Sequence, residues 1–247
     1  MNRQHLAIAL EEVAVKAIVV KDQAAGTAGM KLMERPEPDE QRLADLEGAN
    51  YGDVIVEVRA SGFTGNELEW PSTWIDRLGH DRTPSIPGHE LAGVVTALGY
   101  GTTGLAVGDR VFGLTDWTRD GTLAECVVVE ARNLAPLPAD VDFAVGAGVA
   151  MMGLTAWQGL FDHGHLRAGQ SVLIHGAAGA VGSMATQLAR ETGAYVIGTG
   201  RAPHRQAALD FGAHEFVDLE NDTLADVGGV SLVFDVLGGE IAKRSAA

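Results

Sequence analysis

The chain has 247 residues, 46% hydrophobic and 21% charged, the balance of a globular protein with room for a sizeable core. Eighteen basic against 33 acidic residues leave a net charge of −15, and with no Lys/Arg run this argues against a nucleic-acid partner. The single cysteine, Cys126, excludes an internal disulfide and a multi-cysteine zinc cage. No apolar stretch runs uninterrupted to membrane-spanning length, and the N-terminus lacks a basic segment followed by an apolar one, so a cytoplasmic protein with no membrane partner is expected.

Residues 1–13 read as a frayed or helical extension, with no role assigned, ahead of a first strand at 16–20. Residues 26–29 read as a turn and 35–50 as a polar, charged loop. Val54, Val56 and Val58 alternate with Ile55, Glu57 and Arg59, a half-buried strand that ends in Ala60-Ser-Gly62. After a loop at 84–88, strands are expected at 91–98 and 111–113, separated by a glycine-studded turn at 99–108. Asp120-Gly121 is expected to form a hairpin turn into a strand at 123–129, which carries Cys126 as a small buried hydrophobe. Many short strands with glycine punctuation predict a small barrel-like β domain.

The texture changes at Asn133-Leu-Ala-Pro136-Leu-Pro138. A small-residue helix is expected over 143–161, followed by His163 and His165 on the surface. From Ser171 onward strands and helices alternate. The run at 172–174 is a buried strand, the block Gly176-Ala-Ala-Gly179-Ala-Val-Gly182 follows it, and Val181, Met184, Ala185, Leu188 and Ala189 fall at helical spacing. Gly193 ends that helix, and 195–197 is the next strand. Strands at 216–217 and 232–234 and a short helical start at 240–247 complete the chain. The fold class is α/β, with a β domain over 1–138 and a doubly wound parallel sheet over 139–247. Four strands where a full dinucleotide-binding sheet has roughly six make the second domain incomplete at its C-terminal end.

The glycine block sits in a strand–turn–helix–strand unit, the context that gives such a pattern its chemical meaning. One glycine turns the chain tightly, one lets backbone N–H groups approach a pyrophosphate, and one lets helix and strand pack closely. The helix N-terminus then faces the phosphates with its partial positive charge. Gly176, Ala178, Gly179, Ala180, Val181 and Gly182 are the expected cofactor-binding turn. At the end of the second strand, Gly198-Thr199-Gly200-Arg201 lacks the acid that NAD enzymes use for the ribose 2′-OH. Arg201 and Arg205 either pair with a 2′-phosphate, which favours NADPH, or are solvated residues at a helix start.

Several blocks in order, Ala60-Ser-Gly-Phe-Thr64-Gly-Asn66-Glu67, Pro87-Gly-His89-Glu90-Leu-Ala-Gly93, Val107-Gly-Asp109-Arg110-Val111, Gly121-Thr-Leu-Ala-Glu125, Gly153-Leu-Thr155-Ala-Trp157 and the glycine block, resemble the medium-chain dehydrogenase/reductase superfamily over nearly the whole chain. The resemblance implies a GroES-like catalytic domain, residues 1–138, and a Rossmann NADP-binding domain, residues 139–247. Of the three positions that carry catalytic zinc ligands in zinc alcohol dehydrogenases, Thr64 and Met151 are poor donors and only His89 survives, so no metal is expected. His89 then becomes a hydrogen-bonded relic or a polar group in the cleft. The glycine spacing and the missing ligands resemble the quinone-reductase and enoyl-reductase branch, which implies hydride transfer from NADPH to a carbon–carbon double bond conjugated to a carbonyl.

The resemblance puts Thr64, Asn66 and Glu67 at the substrate cleft as catalytic residues, and Thr155 there as a cofactor-binding one, with Thr199, Gly200, Arg201 and Arg205 on the cofactor's far side. Glu67 is alternatively a solvated loop charge, and Trp70 and Trp74 line the substrate side or the core. Three functions follow: a zinc-independent NADPH oxidoreductase acting on a small-molecule enone or quinone, a dinucleotide-binding fragment without turnover, or an alcohol dehydrogenase with a degenerate zinc site. Any homodimer rests on the resemblance alone.

Overall fold

A computed structural model describes residues 14–38 and 52–245. The expected extension at 1–13, and most of the loop expected over 35–50, lie outside the described residues. The chain forms two compact units, Met1–Ala150 and Met151–Ala247.

In the first unit, β1 (Ala14–Val19) pairs antiparallel with β2 (Lys31–Pro36). The sequence does not announce β2, because none of its residues is buried and no alternation of apolar side chains results. The main sheet contains β3 (Asp53–Gly62), β4 (Glu90–Leu98), β5 (Arg110–Leu114), β6 (Cys126–Glu130) and β7 (Leu134–Pro136), antiparallel in the order β6-β3-β4-β5-β7. Between β3 and β4 lies a single helical turn, α1 (Pro71–Trp74). Val54, Val56, Leu91, Val95, Val111, Val127 and Val129 fill one core cluster, as residues two apart on neighbouring strands must. Ile55 joins Ala97 in a second cluster, so the middle of β3 is buried on both faces.

The Asp120-Gly121 turn does not join β5 to β6. Instead β5 pairs with β4 and β7, β6 pairs with β3, and residues 121–123 hydrogen-bond back to 86–88. Gly121 serves close approach: a Cβ there would stand 2.1 Å from the Gly88 carbonyl oxygen. Arg119 anchors the same loop. It forks onto both carboxylate oxygens of buried Asp53, at 3.3 and 2.9 Å, and reaches Glu130 at 3.2 Å.

The helix α2 (Phe143–Trp157) runs on into a wider turn, Gln158–His163. Together, Phe143–His163 is long and apolar enough to cross a membrane by length and composition only, and Gln158, Asp162 and His163 interrupt its apolar run, as expected. Two of its glycines allow close packing. Gly146 faces the Leu137 side chain in the first unit, and Gly159 faces the Phe234 ring in the second.

The second unit holds β8 (Ser171–His175), α3 (Ala180–Glu191), β9 (Tyr195–Gly200), α4 (Arg205–Asp210), β10 (Glu215–Asp218), β11 (Leu232–Phe234) and α5 (Gly239–Ser245). The strands are parallel in the order β10-β9-β8-β11, the first four of a dinucleotide-binding sheet. Val172, Ile174 and Val196 meet Ala185 and Ala189 of α3 in the core, with Val181, Met184 and Leu188 at its margin. Alanines on the helix and β-branched residues on the strands bring the two layers close together.

Gly93 of β4 tests how tight the first sheet is. A Cβ there would lie 2.2 Å from the Glu57 carbonyl oxygen on β3. Gly93→Ala is expected to destabilise the protein by roughly 1–3 kcal/mol, because backbone rather than a movable side chain must give way. Urea unfolding measures this, and an unchanged midpoint would contradict the close approach.

Candidate active site

In the first unit the chain leaves β3 and turns through Phe63-Thr64-Gly65-Asn66 into the short helical turn Glu67–Glu69. Glu67 organises this corner. Its side chain is fully buried, and its two carboxylate oxygens accept from Thr64 N at 2.9 Å and Gly88 N at 3.0 Å. Its backbone carbonyl accepts from Thr73 Oγ1 at 2.7 Å. Burial pushes the Glu67 pKa up and nearby Glu90 adds to this, while the two N–H donors pull it down. Glu67 is therefore neither an open cleft acid nor a solvated charge: both oxygens are committed to joining the loop after β3 to the turn before β4. Thr64 is half-buried and Asn66 exposed, and among the described residues neither side chain has a hydrogen-bond partner.

His89 ends that turn, only 1% exposed, with neither ring nitrogen hydrogen-bonded. Trp70 stacks on the imidazole, centroids 5.7 Å apart and 15° between planes. Trp117 lies 4.7 Å from it, tilted by 58°, and meets Trp70 edge-on at 5.3 Å. Burial, and then the Arg82 guanidinium, push the His89 pKa down to about 4, with Asp116 opposing them. His89 is thus a neutral, unpaired imidazole in an aromatic cluster rather than a hydrogen-bonded relic. Trp74 stands outside that cluster and donates Nε1–H to the Leu68 carbonyl at 2.8 Å. Nothing in the sequence pattern marks Trp117, since only the Arg119 anchor and the path of the loop after β5 bring it to His89.

The surroundings of His89 do not suit zinc. Its ring neighbours are two indoles, and among the described residues no group of three or more His, Cys, Asp or Glu could hold a metal. Cys126 is half-buried beside Ile55, Ala97 and Val128; burial, then Glu37, Glu57 and Glu125, push its thiol up to about 11.

In the second unit, the glycine block forms a bare anion cradle. Gly176 leaves β8 with φ 69°, and its carbonyl accepts from Gly179 N at 2.8 Å. A Cβ on Gly182 would lie 2.0 Å from that same carbonyl oxygen, so only a hydrogen atom lets the first turn of α3 sit on the preceding loop. Gly179 is the N-cap and offers no side-chain acceptor. The N–H groups of Ala180, Val181 and Gly182 therefore lack intrahelical acceptors and remain open to an anion. A pyrophosphate fits this arrangement. Ala178 and Val181 are half-buried against the core, so their part in the cradle is backbone.

The residues after β9 divide. Thr199 is fully buried, its hydroxyl paired with His175 Nδ1 at 2.8 Å and its carbonyl accepting from Ala177 N at 3.0 Å. It braces the glycine turn from beneath, which leaves its side chain nothing to offer a ligand. His175 in turn reaches Ser245 Oγ at 2.6 Å. Gly200 lies under the Phe216 ring. Arg205 donates to the Phe216 carbonyl at 2.9 Å, covers the Phe216 ring and reaches Asp222 at 3.5 Å, so it is committed to β10. Arg201 is exposed at the start of the turn Ala202–His204, without a partner among the described residues. Thr155 is exposed, and its hydroxyl donates back to the Met151 carbonyl at 2.8 Å. His163 and His165 are exposed, as expected.

The neutral His89 has a measurable signature. Unfolded, it titrates near 6.5; folded, at about 4. Between these values the unfolded chain binds more protons, so the His89 contribution is complete above pH 6.5 and is lost as pH falls toward 4, by about 3 kcal/mol in all. His89→Phe is expected to shrink the acid loss by that share while matching or exceeding wild-type stability at neutral pH. Glu67, whose raised pKa acts in the opposite sense, is common to both proteins. Urea unfolding across the window decides it, and parallel pH profiles would count against a buried neutral imidazole.

The family model described as the alcohol dehydrogenase GroES-like domain matches residues 50–139, and that described as zinc-binding dehydrogenase matches residues 180–247. A polyketide synthase system protein of Streptomyces orinoci, NorB, is 35% identical over 251 residues, covering 92% of this chain and 11% of that protein. The quinone oxidoreductase of Pongo abelii is 40% identical over 166 residues, covering 66% of this chain and 48% of its own length. This chain therefore spans about half of the second relative and about a tenth of the first. Among solved structures, an alcohol dehydrogenase superfamily protein from Novosphingobium aromaticivorans superposes with a TM-score of 0.79 at 31% identity, covering 94% of this chain and 68% of the other. A quinone oxidoreductase of Pseudomonas syringae gives 0.80 at 27% identity, with 94% and 69% covered.

Proposed function

The chain belongs to the medium-chain dehydrogenase/reductase superfamily, and we propose that within it the protein is a zinc-independent oxidoreductase that uses NADPH to reduce a quinone, enone or related conjugated carbonyl. The observation that carries the dinucleotide half of this reading is the uncapped start of α3 above the Gly176–Gly182 contact. Ala180, Val181 and Gly182 hold the pyrophosphate through their free N–H groups. Arg201, the arginine left unpartnered after β9, takes the ribose 2′-phosphate, while Arg205 stays on β10.

When bound, NADPH supplies a hydride for the carbon β to the carbonyl. The protein's part is orientation and electrostatics. Thr64, with a free hydroxyl, and Asn66, with a free amide, orient the substrate, and Glu67 holds their loop by its two backbone bonds. The proton that completes the reduction at the α-carbon comes from water. The quinone oxidoreductases among the relatives support the substrate class by their names, and the poor zinc donors support a metal-free reaction.

Fluorescence titration with NADPH and with NADH tests the cofactor, followed by assay of NADPH oxidation with a quinone and an enone. Tighter binding of NADPH is expected, and Arg201→Ala is expected to weaken it by roughly 10- to 100-fold, the worth of a charge-assisted bond, with NADH unaffected. Equal affinities, or an Arg201→Ala protein indistinguishable from wild type, would remove the 2′-phosphate assignment. Saturable NADPH binding without oxidation by either substrate class would remove the reductase reading.

A further inference from the structure

Three described residues of the first unit have buried side-chain atoms without a hydrogen-bond partner: Arg110 at Nε alone, its other nitrogens reaching the Ala139 and Val141 carbonyls, and His89 and Thr115, which have none and are backbone neighbours. Neither His89 nitrogen nor Thr115 Oγ1 is hydrogen-bonded, with the residues 1% and 3% exposed. Thr115 N donates to the His89 carbonyl at 3.0 Å, which carries the Glu90–Leu114 pairing of β4 and β5 one step further. Folded proteins rarely leave such atoms unpaired in their interiors, and two at one point call for an occupant. Rings surround them: Trp70 stacked on the imidazole and Trp117 tilted over it. Trp117 is 42% exposed and is the more exposed of the two indoles, Trp70 being half-buried.

We propose that His89 and Thr115 form the polar end of a ligand subsite, walled by Trp70 and Trp117, that takes the carbonyl oxygen of a flat conjugated carbonyl compound. The proposal rests on the reductase reading and adds to it the residues that recognise the carbonyl. A carbonyl oxygen has two lone pairs, and the site offers two donors for them, one imidazole N–H and one hydroxyl. A flat conjugated ligand suits indole faces, which stack with an offset. Because the covered imidazole stays neutral through the ordinary pH range, it donates one N–H without carrying charge. Such donors stabilise negative charge that develops on the oxygen as hydride reaches the β-carbon. Trp117, the more exposed of the two indoles, lies between His89 and solvent and is the side from which a ligand reaches the imidazole.

The test uses the full chain and 1,4-naphthoquinone, with NADP+ present so that no reduction occurs. Binding is followed by tryptophan quenching and by the His89 ring N–H in nitrogen-edited NMR. Saturable quenching with a shift of that N–H is expected, with affinity about 10-fold weaker in His89→Leu and several-fold weaker in Thr115→Val. Thr115→Val keeps the side-chain shape and removes only an unpaired hydroxyl, so it guards against a His89 variant that folds poorly. Equal affinity in wild type and Thr115→Val together with an unmoved His89 signal overturns the subsite, as does the absence of saturable quenching in wild type. NADPH-dependent quinone turnover indifferent to both substitutions removes the subsite and leaves the reductase reading intact. Naphthoquinone binding that depends on His89, without turnover, supports the subsite and removes the reductase reading.

Discussion

Backbone lying directly on backbone, with no room for a Cβ between, is the constraint on which both units depend. Gly93 on the Glu57 carbonyl closes β3 against β4, Gly121 on the Gly88 carbonyl seats the loop that carries Trp117, and Gly182 on the Gly176 carbonyl sets α3 over its turn. At each contact a methyl group would stand near 2 Å from an oxygen, a distance no rotamer relieves. A composition with 32 glycines among 247 residues is in part the record of such contacts. Each one also aims something. The first aligns the strands below the His89 turn, the second delivers an indole to the imidazole, and the third leaves three N–H groups pointing into open space.

Buried charge does the complementary work of holding loops that carry no core of their own. Glu67 is held by two neutral donors, both backbone N–H groups, and ties two loops of the first unit together. Arg119 stands between two buried carboxylates, Asp53 and Glu130. The planar fork matters there, because a lysine has no second pair of donors to match Asp53 on both oxygens. Removing Arg119 leaves two buried carboxylates without compensation, and removing Glu67 leaves two backbone N–H groups without their acceptor.

Local signals were enough for the strand–turn–helix–strand unit. Its strands are buried on both faces, its glycines have one geometrical use each, and its helix has a consistent apolar side. β3 was legible for the same reason, through Val54, Val56 and Val58. β2 was hidden because it buries nothing, and the Asp120-Gly121 pair misled because a turn dipeptide says where a chain bends without saying which strands it joins. The site was legible only in part. Gly176 to Gly182 and Arg201 follow from chain-local chemistry, whereas the sealing of Glu67, the inward hydroxyl of Thr199 and the capture of Arg205 by Phe216 depend on residues brought from elsewhere in the sequence. Trp117 is the extreme case, since its meaning is wholly tertiary.

Quinones and enones are Michael acceptors, and a thiolate in their path is alkylated. An enzyme that handles them has to keep its own sulfur out of the reaction. This chain has one cysteine, and burial beside three carboxylates lifts the Cys126 thiol to about 11, so at neutral pH it stays protonated. Burial first, and then the acidic surroundings of β6, thus keep the one thiol of the chain in its unreactive form.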